Sequence, residues 1–95
     1  MNRRCYVYFL VTSTGSDVYE TVLSGELNLC AMDIPTTTRK TTLLHCAALC
    51  SQTAGCSYFN HKVDGNQSCD IFSGTPSVLQ VSAGCKAYRV KYWIV

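Results

Sequence analysis

The sequence predicts a single α+β domain held together by disulfides, and three observations lead there. Seven cysteines stand among 95 residues, a density that reads as a disulfide scaffold and implies an oxidising, extracellular-type compartment. One stretch has helical periodicity: Leu43, Cys46, Ala47 and Cys50 fall at i, i+3, i+4 and i+7, an apolar stripe that must face a core and turns both thiols inward. Around it lie short runs of valine, tyrosine, phenylalanine and isoleucine closed by turn-forming residues, the pattern of strands. A chain of this length holds one domain and buries only about two-thirds of its unfolded surface, so it needs cross-links. Residues 18–95 read as that domain, and residues 1–17 as an N-terminal strand or a remnant signal segment.

The first segment has two outlines. Met1 to Arg4 followed by the apolar run Cys5 to Val11 resembles a secretory signal, but the run is short and tyrosine-rich, and Thr12 to Gly15 is an indifferent cleavage site. The preferred reading is a β-strand that turns at Thr14-Gly15-Ser16-Asp17 into a second strand, Val18 to Leu23. A cut N-terminus without fixed structure is the third reading. Leu27 to Cys30 is a further short strand, ending where Ile34-Pro35 forces an extended or turning backbone. Pro35 to Thr42, with the adjacent charges Arg39 and Lys40, reads as a solvated loop rather than a binding or O-glycosylated segment.

The helix should run from about Thr42 to Ser51, capped by the hydroxyl of Thr41 or Thr42 and stopped near Gly55. Cys56 to Asn60 and Cys69 to Phe72 then form two strands joined through an Asp64-Gly65-Asn66 turn. That tip carries the sequon Asn66-Gln67-Ser68, a candidate glycosylation site in an exposed loop. After a turn at Ser73 to Ser77 come a short strand, Val78 to Val81, and an alternating one, Cys85 to Val95. In the last strand Tyr88, Val90, Tyr92 and Ile94 share one face, and Ala87, Arg89, Lys91 and Trp93 the other.

The order Leu-x-Cys-x3-Cys-x5-Cys-Ser-Tyr-Phe-Asn, followed after a loop by Cys-x-Ile-Phe, resembles the core of PAN/apple domains. The likeness is close over residues 43–72 and looser from Tyr19 to Val90. It implies one central helix packed on a curved antiparallel sheet, with two disulfides tying the helix region to the sheet. Spacing cannot choose among the fifteen ways of pairing six cysteines. It allows Cys50 to meet Cys56 across a helix end that folds back, and Cys46 to reach the strand bearing Cys69. The resemblance supplies the pairing of the first and last, Cys30 with Cys85, and Cys5 is left over.

The function classes follow from the same residues. A net charge of +2, spread along the chain, gives no field that points to nucleic acid. No apolar run approaches the roughly eighteen residues of a membrane span. Zinc held by Cys46, Cys50, Cys56 and Cys69 with His45 or His61 is disfavoured, because only Cys46 and Cys50 have ligand-pair spacing. Thiol catalysis is disfavoured because inward-facing helix cysteines lack an electropositive, partly exposed setting. His61, beside the loop, reads as an ordinary surface residue. Asp64-Gly65-Asn66 lacks the other oxygen ligands of a calcium loop. Neither an enzyme nor a cofactor is therefore expected.

The resemblance implies an extracellular module that makes protein or carbohydrate contacts within a larger secreted or surface protein. The expected ligand face is Arg89, Lys91 and Trp93, extended by Arg39, Lys40 and Lys62 if the fold brings them near. Two cations beside a ring suit a sugar or an anionic glycan, although a solvated face whose charges protect an edge explains the same residues. The competing readings are an intracellular metal- or thiol-dependent domain and a self-associating structural protein that dimerises through Cys5.

Overall fold

The computed structural model describes residues 10–11 and 16–94, with backbone alone for 10–11, 16–18 and 92–94. Its elements in chain order are β1 (Leu10–Val11), β2 (Ser16–Thr21), β3 (Leu23–Ser24), β4 (Leu27–Asn28), β5 (Cys30–Ala31) and β6 (Thr37–Arg39). Then follow α1 (Leu43–Gln52), β7 (Cys56–Lys62), β8 (Ser68–Ser73), β9 (Leu79–Gln80) and β10 (Cys85–Ile94). It is an α+β fold, mostly sheet, with one helix among the described residues.

The main sheet runs β1-β2-β10-β7-β8-β6, every neighbour antiparallel. Leu10 and Val11 pair with Val18 and Asp17; Ser16 and Asp17, expected in the turn, already belong to β2, whereas residues 12–15, the rest of the first expected strand and the signal-like start lie outside the described residues. The helix begins where a hydroxyl can satisfy its free amides: Thr42 accepts from the His45 N–H at 3.3 Å. At the other end Thr53 closes the last turn, its N–H bonding to the Cys50 carbonyl and its hydroxyl donating to the Leu49 carbonyl at 2.6 Å. The helix stops three residues before Gly55, whose φ of 81° turns the chain into β7.

Alternation on the strands decides what meets the helix. Phe59, Ile71, Cys69, Tyr88 and Tyr19 pack beneath Cys46, Ala47 and Cys50 as one buried cluster. The Phe59 ring stacks on Tyr88 with centroids 5.0 Å apart and meets Tyr19 edge-on at 5.2 Å. The Tyr19 hydroxyl, buried with its ring, donates to the Ala47 carbonyl at 3.3 Å, which gives the polar tip a partner.

One element departs from the expectation. Thr37–Arg39 is an edge strand paired with β8, where a solvated loop was expected. Its side chains are all exposed, so its polarity is that of a loop while its backbone joins the sheet. The face of the sheet away from the helix is also covered. A ribbon of β5 and β9 lies over it, and Asn60, Asp70, Phe72 and Ala87 on that side are buried.

Candidate functional site

Cys46 is bonded to Cys69, Cys50 to Cys56 and Cys30 to Cys85. The first two tie α1 to β8 and to the start of β7, and the third ties the covering ribbon to β10. These are the pairs of the scheme described above. Cys5, and with it any dimer through Cys5, lies outside the described residues. With their sulfurs joined, the six described cysteines offer no thiolate to a metal or a substrate. Among the described residues no group of three or more His, Cys, Asp or Glu side chains could hold a metal ion.

The basic residues of the expected ligand face do not form one surface. Arg89 and Lys91 are both committed to Glu20: Arg89 Nε lies 2.8 Å from Oε2 and Lys91 Nζ 3.7 Å from Oε1. Glu20 is only 7 % exposed, so a buried carboxylate sits beneath the two cations and offsets one of them. The hydrogen bond to Glu20, with a lesser contribution from Tyr58, holds the Arg89 guanidinium above its ordinary pKa. The register of β10 against β2 shifts between Val90 and Tyr92, which interrupts the strict alternation that linked Trp93 to Arg89 and Lys91. The Trp93 side chain lies outside the described residues. Lys62 is paired with the buried Asp70 at 3.1 Å, and the Thr38 hydroxyl donates to the same carboxylate at 3.0 Å.

Arg39 and Lys40 stand elsewhere. Arg39 is the cross-strand partner of Cys69, which faces the helix. With Lys40, His45 and Leu49 it lines a shallow cavity of about 340 Å³ between the sheet edge and α1. No carboxylate among the described residues lies within ion-pair distance of either cation.

A larger cleft, about 580 Å³, opens at the start of α1 between the β7–β8 loop and β10. His61 lines it, and here the surface-residue expectation is corrected: His61 is 7 % exposed. The reason is strand parity. β7 continues to Lys62, so His61 shares the inward face of Phe59 two residues earlier. Counting by twos from Phe59 would have revealed this had the strand not been ended at Asn60. The His61 Nε2 has no hydrogen-bond partner among the described residues. Tyr88, which also lines the cleft, has its phenol pKa raised by burial.

The rim of this cleft is fixed by the turn before β10. Gly84 adopts φ 72°, and its carbonyl accepts the Val63 N–H at 2.8 Å. A Cβ built there would lie 3.2 Å from the Asp64 Cβ. Gly84→Ala is therefore expected to destabilise the fold by about 1–3 kcal/mol, since a left-handed backbone and a close contact act together. Urea denaturation of the variant checks this, and an unchanged midpoint would show that the turn relaxes freely.

The exposed tip, 63–67, also displays Asn66 of the sequon. No helix among the described residues is long and apolar enough to cross a membrane. Compared with known proteins, the chain matches no family model, no curated protein and no solved structure.

Proposed function

We infer that this chain is an extracellular, disulfide-stabilised binding module of PAN/apple-like build that recognises a protein or glycan ligand rather than catalysing a reaction. The observation that carries this reading is the set of three bridges, two of which anchor the only described helix to the sheet. Such cross-linking suits a small domain in an oxidising compartment, and the residues from Leu43 to Phe72 supply the resemblance. Asn66, exposed at the loop tip, fits a glycosylated surface.

An anionic glycan is the ligand class to test first, and the favoured contact is the Arg39–Lys40 groove beside α1. Its two cations have no described acidic partner, whereas Arg89 and Lys91 share Glu20. A modest cluster of this kind gives weak binding that fades with salt. The oxidised protein should be retained on a heparin column at low salt. Arg39→Ala with Lys40→Ala should elute clearly earlier, and Arg89→Ala with Lys91→Ala should shift elution less. The reverse order would move the site to the Arg89 face, and a parent protein that is not retained would remove anionic glycans as the ligand.

A further inference from the structure

We propose that the cleft beside His61 is a binding site for a small amphipathic carboxylate, an apolar body carrying one acidic head group. Leu43 from the first turn of α1, Val63, Val81 and the buried Tyr88 supply its apolar walls. Val63 and Val81 are more than half exposed, so a ligand lying between them removes apolar surface from water. The volume of about 580 Å³ falls in the range of small-molecule sites.

The polar groups stand together. Lys86 is the direct cross-strand partner of His61, and side chains in that relation start about 5 Å apart on one face of the sheet. No carboxylate among the described residues lies within ion-pair distance of the Lys86 ammonium. His61 is more than nine-tenths buried and brings an Nε2 that has no described partner. A carboxylate seated beside the pair accepts a charge-assisted hydrogen bond from Lys86 and one from the Nε2–H tautomer of His61, while its hydrocarbon lies along the walls. The positive charge selects an acid over an alcohol or an amine of the same shape. The bond between Val63 and Gly84 holds one rim in place, so little ordering is required on binding. This site is separate from the Arg39–Lys40 groove and does not depend on the glycan reading.

Decanoate, kept below its micellar concentration and titrated into the oxidised protein, is the probe, with backbone amide shifts in NMR as the readout. The expected result is saturable shifts centred on His61 to Val63 and Gly84 to Tyr88. Lys86→Ala, a change at an exposed side chain that the fold tolerates, should weaken binding about tenfold, as loss of a hydrogen bond to a charged group does. Decanol should bind the parent weaker by a similar factor. His61→Phe, which keeps a ring in the strand and removes Nε2, should also weaken decanoate binding. The absence of shifts in these segments, or shifts confined to another part of the molecule, overturns the proposal. It is equally overturned if Lys86→Ala and the change to decanol both leave the affinity unaltered.

Discussion

Replacing Cys46 and Cys69 together by alanine should cost about 2–5 kcal/mol, a large part of the total stability of a domain this small. Both cysteines are fully buried in the cluster beneath the helix, and the bridge joins residues 23 apart in sequence. Its loss frees a long loop in the unfolded chain and also removes the tie between α1 and β8. The Cys50–Cys56 bridge spans only six residues, so replacing that pair should cost less. Near-UV circular dichroism and urea denaturation of the two double variants measure the difference. Equal, small losses would show that packing of Phe59, Tyr19 and Tyr88 holds the fold without the bridges.

The second large effect is expected at Asn60. This side chain is fully buried on the sheet face away from the helix, and it stitches the covering ribbon to the sheet. Its Oδ1 accepts the Ala31 N–H at 2.9 Å, and its Nδ2 donates to the Ala31 carbonyl at 2.8 Å and to Asp70 Oδ2 at 3.2 Å. The amide thus takes the place of a neighbouring strand for one residue of β5. Asn60→Leu leaves three polar groups each short of a partner, so a loss of about 3–5 kcal/mol is expected from penalties of about 1–3 kcal/mol apiece. Chemical denaturation gives the number, and hydrogen exchange at Ala31 shows whether the ribbon lifts. A loss under about 1 kcal/mol would mean that water reaches these groups and replaces the amide.

The local elements were the legible part of the fold. The stripe of Leu43, Cys46, Ala47 and Cys50 marked α1, the pair Thr41 and Thr42 marked its start, and the residues on either side of Asp64-Gly65-Asn66 marked β7 and β8, because each of these signals is written within a few residues. What depends on distant pairing was not legible. Thr37–Arg39 looks like a loop until β8 supplies its partner, and nothing near Cys30 or Leu79 announces that these segments meet over Asn60. That contact buries the second face of the sheet and turns a polar residue in an aromatic run into a structural clamp. The candidate sites divide the same way. Arg89, Lys91 and Lys62 were visible as cations, but the carboxylates that engage them, Glu20 and Asp70, come from other strands. Conversely, His61 was visible and misplaced, because ending β7 two residues early hid its inward phase.

Two bridges bond the helix to its sheet and a third bonds the ribbon, and a disulfide map of the oxidised protein tests that arrangement most directly. Cleavage after Lys40, Leu49, Lys62 and Phe72 under non-reducing, denaturing conditions separates Cys30 from Cys46, Cys46 from Cys50, Cys56 from Cys69, and Cys69 from Cys85. The fold predicts linked peptides joining Cys46 to Cys69 and Cys30 to Cys85, with Cys50 and Cys56 joined to each other. A peptide linking Cys46 to Cys56, or free thiols at these six positions, would contradict it.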